Sequence, residues 1–128
     1  MSALEVASVY IAINILILVW LAVRVVSRRS RAKISIGDGG SEDLARAIRV
    51  HGNASEYIPP TLVGLLAAAF LNAPVWSLHA MGIAFTLGRI IHAIGMGGGP
   101  LILRQLGMVL TWTVMVILSL ALVYFAFT

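Results

Sequence analysis

Of the 128 residues, 60% are hydrophobic, only 11% are charged and none is cysteine. Soluble domains carry about a quarter charged residues, so this balance excludes a water-soluble globular fold and marks an integral membrane protein; the missing thiols exclude disulfides, thiolate metal sites and a cysteine nucleophile. The net charge of +4 arises from nine basic and five acidic residues, which reads as membrane topology with an anionic small ligand rather than as nucleic-acid binding.

At roughly 20 residues per crossing the length holds one domain, residues 1–128, of about four spans. Residues 6–26 are almost uninterrupted apolar sequence and end in Arg24, Arg28, Arg29, Arg31 and Lys33. No positive residue precedes this run and it is too long for a signal-peptide core, so it is a first span. Asn14, near its middle, reads as a hydrogen bond to a neighbouring helix. Residues 27–41 form a loop whose GDGG at 37–40 lacks both the calcium-loop pattern and the GK[ST] of a phosphate loop, which leaves a connector.

Ser41, Glu42 and Asp43 have the chemistry of a helix N-terminus. The second helix is predicted from Glu42 to Leu71, polar at first and apolar over 54–71, with Pro59 and Pro60 kinking it. Asn72, Ala73 and Pro74 make a tight turn. A third span follows over 75–94, the glycine-rich stretch from Met96 to Pro100 breaks it, and a fourth covers 103–127. Short connections make this an all-α, four-transmembrane-helix up-and-down bundle. All nine basic residues lie in or beside the first and third connections. The positive-inside rule then puts those connections in the cytoplasm and both termini outside.

The mouth of the second helix, RAIRVHGNASEY at 46–57, concentrates the polar chemistry. At about 100° per residue, Arg46, Arg49, Asn53, Glu56 and Tyr57 share an arc roughly 100° wide, while His51 points nearly the opposite way. An ionisable group at membrane depth costs about 2.5–3.5 kcal/mol. An Arg49–Glu56 ion pair would satisfy both members, but their clustering with Arg46, Asn53 and Tyr57 favours a pocket for a zwitterionic, mainly anionic ligand. Arg89, His92 and Met96 share a face of the third span, and Arg104 lies just past the glycine break. Interfacial snorkelling accounts equally well for Arg89 and Arg104. His92 suits either a proton carrier or a hydrogen-bonded bundle histidine. His79 receives no role, and the three histidines do not make a metal site.

The pattern Arg49-x-x-x-Asn53-x-x-Glu56-Tyr57 followed by prolines resembles the signature of the MAPEG family, membrane-associated proteins in eicosanoid and glutathione metabolism. GDGG at 37–40, AIRVHGNASEYIP at 47–59 and GRIIH at 88–92 are most similar to a bacterial branch. The resemblance implies a homotrimer in the bacterial inner membrane that binds glutathione between neighbouring protomers at the cytoplasmic end. It implies glutathione contacts from Arg49, Asn53, Glu56 and Tyr57, from His51 toward the neighbour's ligand, and from Arg28 or, one turn earlier, Arg24. Arg46, Arg89 and His92 are further candidates. Arg104 resembles the arginine that stabilises the glutathione thiolate, so the implied activity is a glutathione transferase or peroxidase acting on a lipophilic small molecule drawn from the lipid bilayer. Met96 stands where many family enzymes carry a tyrosine. The alternatives are a non-catalytic lipid- or glutathione-binding membrane protein and a small multidrug transporter, although the latter resembles its kin by a glutamate deep in the first span and the only acid there is Glu5.

Overall fold

The computed structural model describes residues 1–128 as four helices: α1 (Ala3–Ala32), α2 (Glu42–Phe70), α3 (Val75–Met96) and α4 (Leu101–Phe127). α1 outlasts the apolar run because arginine is a good helix former and cations complement the C-terminal dipole. It stops at Lys33, whose left-handed backbone (φ 55°) turns its N–H onto the carbonyls of Arg29 and Ser30. At the other end, Ser2 and Glu5 close a reciprocal capping box. Ser41 caps α2 by accepting from the Leu44 N–H, with Glu42 and Asp43 in the first turn. Pro59 and Pro60 do not end α2, which continues to Phe70; just past them Thr61 Oγ1 donates to the Tyr57 carbonyl at 2.8 Å.

Successive helices run antiparallel. Arg28 near the end of α1 meets Asp43 at the start of α2, Gly95 near the end of α3 meets the Arg104 backbone at the start of α4, and Gly64 of α2 packs on Leu118 of α4. In cross-section α2 and α3 form the short diagonal of a rhombus: each touches both α1 and α4, and they touch each other, whereas α1 and α4 are not neighbours. Val6, Ile58, Leu65, Leu78, Phe85 and Leu118 fill the core. Leu16, Val19, Trp20 and Val23 on α1, and Val109, Trp112, Val116 and Leu120 on α4, stay exposed, as suits a lipid solvent.

α1, α3 and α4 are each long and apolar enough to cross a membrane; α2, with its charged first half, is not so by composition. The protein is a multi-pass membrane protein with a four-helix bundle fold. Polar links tie α1 to α3, one toward the middle of α3 and one near its start. Asn14 Nδ2 donates to Thr86 Oγ1 at 2.9 Å, and the Tyr10 hydroxyl meets His79 Nδ1 at 2.8 Å. Asn14 thus acts as the helix-to-helix link its position suggests, and His79, to which spacing alone assigns no role, holds the α1–α3 contact.

Candidate functional site

The polar residues of α2 divide between two environments. Arg46, Arg49 and Glu56 are exposed, whereas Asn53 is buried, and Tyr57 and His51 are half-buried. The arc that groups them straddles the edge of the helix's buried face, so one sequence strip serves an inner network and an outer mouth.

Arg89 of α3 is the hub of the inner network. It is the largest fully buried side chain in the protein, at 1% exposure. Its Nη2 donates to Asn53 Oδ1 at 2.6 Å and lies 3.3 Å from His92 Nδ1. Nη1 donates to Thr111 Oγ1 at 3.3 Å and approaches Met108 Sδ at 3.8 Å. The guanidinium also sits 5.7 Å from the centre of the Tyr57 ring, in cation–π range. Its Nε has no partner, and no carboxylate lies within 4 Å. Arg89 therefore does not snorkel: its charge is held inside the bundle by neutral acceptors and an aromatic face. His92, with its ring nitrogen turned to Arg89, is a hydrogen-bonded bundle histidine.

The mouth is a cavity of about 410 Å³ between α2, the end of α3 and the start of α4, lined by Glu42, Ala45, Arg46, Arg49, Met96 and Arg104. Arg46 Nη2 bonds Glu42 Oε1 at 2.6 Å, an i,i+4 pair. Arg49 reaches Glu56 at 3.8 Å, with both side chains more than half exposed; so loose a pair in water contributes little. Arg104 has no acidic partner within 4 Å. Its position is set by close packing: a Cβ on Gly95 would collide with the Arg104 backbone, and one on Gly107 would meet His92 Cβ at 2.5 Å. Glycines let α3 and α4 approach closely here, which joins the mouth to the Arg89 network beneath it. Arg104 also lines a second, more apolar hollow with Gln105, Met108, Val109 and Trp112.

The two first-helix arginines occupy different places. Arg28 Nε is 3.1 Å from the Asp43 carboxylate, which commits it to tying α1 to α2. Arg24 lies with its guanidinium 5.0 Å from the Trp20 ring centre and near Gly97, 3.6 Å from where a Cβ would stand, next to the cavity-lining Met96. The side chain of His51 has no hydrogen-bond partner; its carbonyl accepts from Ser55 Oγ at 2.9 Å. No cluster of histidine and carboxylate side chains is arranged to hold a metal ion. Chemically, the mouth offers an excess of guanidinium over carboxylate around a polar hollow, which suits an anionic ligand carrying one positive group. Thr111, Met108 and Glu42 join the polar chemistry without any signal in the sequence beyond their helical spacing from Arg104 and Arg46.

The model of the MAPEG family matches residues 7–124 of the chain. The chain is 35% identical over 116 residues to the inner membrane protein YecN of Escherichia coli strain K12, covering 91% of this chain and 88% of that protein. The YecN of Escherichia coli O6:H1 matches with the same identity and coverage.

Proposed function

Because the chain belongs to the MAPEG family, we propose that it binds glutathione in the arginine-lined mouth and works as a glutathione transferase or peroxidase on lipophilic electrophiles or lipid hydroperoxides. The observation that carries this reading is the cavity itself, with Arg46, Arg49 and Arg104 around one polar hollow and Arg104 free of any acidic partner. Glutathione presents two carboxylates, an ammonium and a thiol. Arg46 and Arg49 suit the carboxylates, Glu42 or Glu56 suits the ammonium, and an unpaired guanidinium is available for sulfur. Arg24 is the better placed of the two first-helix arginines to join them, because Arg28 is engaged by Asp43.

In this mechanism the thiol gives its proton to water and Arg104 stabilises the thiolate that remains. In conjugation, sulfur bonds to the electrophilic carbon as the leaving group departs. In peroxide reduction, two glutathiones are oxidised to their disulfide while the hydroperoxide becomes an alcohol and water. The exposed α4 hollow that shares Arg104 gives a lipid-borne substrate an approach from the bilayer.

The assembly belonging to this reading is a homotrimer in the inner membrane, with both termini outside and the mouth in the cytoplasm, an orientation supported by the basic residues of the first and third connections. His51, on the far side of α2 from Arg49, would then address the ligand of the neighbouring protomer. A second reading has one specific observation in its favour: the residue lining the cavity at position 96 is methionine, so no phenol stands there, and the same mouth then binds glutathione or a lipid without turnover.

Purified protein in detergent distinguishes these readings. Millimolar glutathione should raise the melting temperature, and conjugation to an aryl halide should be measurable and fall with Arg104→Ala. A melting temperature indifferent to glutathione would remove glutathione binding from both readings and leave only a lipid in the mouth; a shift without turnover would leave binding alone.

A further inference from the structure

The connection between α1 and α2 is built more firmly than its glycines suggest. Lys33 closes the helix, Arg29 Nη1 donates to the Gly37 carbonyl at 2.7 Å, the Gly40 N–H bonds Asp38 Oδ1 at 2.9 Å and the Ser41 N–H bonds the Asp38 carbonyl at 2.8 Å. Ile34 folds under the loop against Gly39, where a Cβ would meet its Cδ1. Ile36, two residues on, is 88% exposed. A loop tied this way, which half-buries one isoleucine and displays the next, presents an apolar side chain to its surroundings.

Depth identifies those surroundings. The Arg29–Gly37 bond and the Arg28–Asp43 pair fold the loop back along the last turn of α1, so Ile36 lies near the level of residues 28 and 29. The apolar run ends at Val26, and at 1.5 Å per residue Arg29 lies roughly 5 Å beyond it. The headgroup layer of a bilayer is about 5–7 Å deep on each side. Arg31 and Lys33, both exposed and with no acidic partner within 4 Å, flank the loop, against one free acid, Asp38. α1 is an edge helix whose exposed face is apolar, so lipid reaches the foot of the loop.

We infer that the 33–37 turn is an anionic-phospholipid contact, in which Ile36 enters the headgroup boundary and Arg31 and Lys33 bind lipid phosphate. This surface lies outside the arginine-lined mouth, none of whose lining residues it uses. Basic residues beside a span recognise anionic lipid in this way, each contributing about fivefold in local preference.

The chain has no cysteine, so Ile36→Cys in the full-length protein gives one attachment point for an environment-sensitive fluorophore, with Thr128→Cys, exposed at the far end of the bundle, as the water-exposed reference position. The labelled proteins are reconstituted in nanodiscs of phosphatidylcholine alone or mixed with phosphatidylglycerol, and quenched with lipids brominated near the headgroup. The expected result is blue-shifted emission at position 36, quenched more strongly in the phosphatidylglycerol discs. Arg31→Gln with Lys33→Asn, the latter suited to a left-handed cap, should lower that excess severalfold. The inference is overturned by water-like emission in both lipids, by quenching equal in the two, or by a shift that follows the number of protein copies per disc instead of the lipid, which would make the loop a contact between copies.

Discussion

Arg89 on α3 and Asn53 on α2 are joined at 2.6 Å across the short diagonal of the bundle, with the guanidinium donating to the amide oxygen. A charged donor inside the membrane is thus held by a neutral acceptor, and removing either partner strands the other. Asn53→Ala should cost about 1.5–3 kcal/mol, the range for a hydrogen bond to a charged group. Arg89→Met should cost a similar amount. Because the two share one interaction, the double variant should be less destabilised than the sum by about 1–3 kcal/mol. Reversible unfolding in mixed micelles measures all three.

Binding and chemistry separate at the mouth. Arg49→Ala removes a guanidinium that lines the mouth and, under the proposed function, should weaken glutathione about tenfold or more, seen as a reduced melting-temperature shift. Arg104→Ala should retain much of that shift but lower turnover about a hundredfold, the typical loss when one preorganised stabiliser of developing charge is removed. A variant that loses affinity and rate equally would place Arg104 in binding only.

Ionic strength supplies an independent check. The mouth is open to water, so the attraction of its arginines for carboxylates is screened as the Debye length falls from about 10 Å at 0.1 M salt to about 3 Å at 1 M. Glutathione affinity should weaken steadily over that range. The Asn53–Arg89 contact, sealed in the bundle, should lend the fold no comparable salt dependence.

Close packing of α3 on α4 yields a prediction about geometry. Gly95→Val must push against the Arg104 backbone, and Gly107→Val against His92 Cβ. Overpacking of this kind costs about 1–3 kcal/mol. Gly95→Val should in addition depress turnover more than a destabilised but correctly packed control, because it displaces the arginine assigned to the thiolate.

At the opposite end, Tyr10→Phe removes the hydroxyl that meets His79 Nδ1 at 2.8 Å. The expected cost is about 1 kcal/mol with no change in the glutathione-induced shift. Loss of ligand binding in this variant would mean that the α1–α3 contact controls the mouth.

Much of this architecture is legible in the residues alone, for identifiable reasons. Turn chemistry at Asn72–Pro74 and the glycines after Met96 locate two connections because nothing in the tertiary structure competes with them. The end of α1 is less legible, since a basic run after an apolar one reads as the edge of the span, yet the helix continues to Ala32. The proline pair is read correctly as lying inside one helix, because a helix packed on both sides outlasts the loss of two N–H donors. For the site, periodicity brings Arg46, Arg49, Asn53, Glu56 and Tyr57 together but cannot say where the buried face begins. That boundary sends Asn53 inward to Arg89, leaves Arg49 in the mouth and puts Glu56 on the exposed face beside Arg49, outside the cavity lining. Thr111 and Met108 are invisible as site residues because their role depends on a guanidinium from another helix. Arg24 and Arg28 differ by one turn, and only the Asp43 carboxylate on α2 separates their roles.

The α2–α3 diagonal also bears on how the chain enters its membrane. α2 lacks the apolar composition to cross unaided, and α3 brings a guanidinium whose acceptors lie on α2 and α4. Neither helix is a comfortable solitary passenger in hydrocarbon. The order of synthesis supplies Asn53 before Arg89 and Thr111 after it, so the acceptors of Arg89 are complete only once α4 is made. Insertion is then expected to be cooperative from the second helix onward, and a chain cut short after α3, which lacks Thr111, should be cleaved faster by added protease than the full chain.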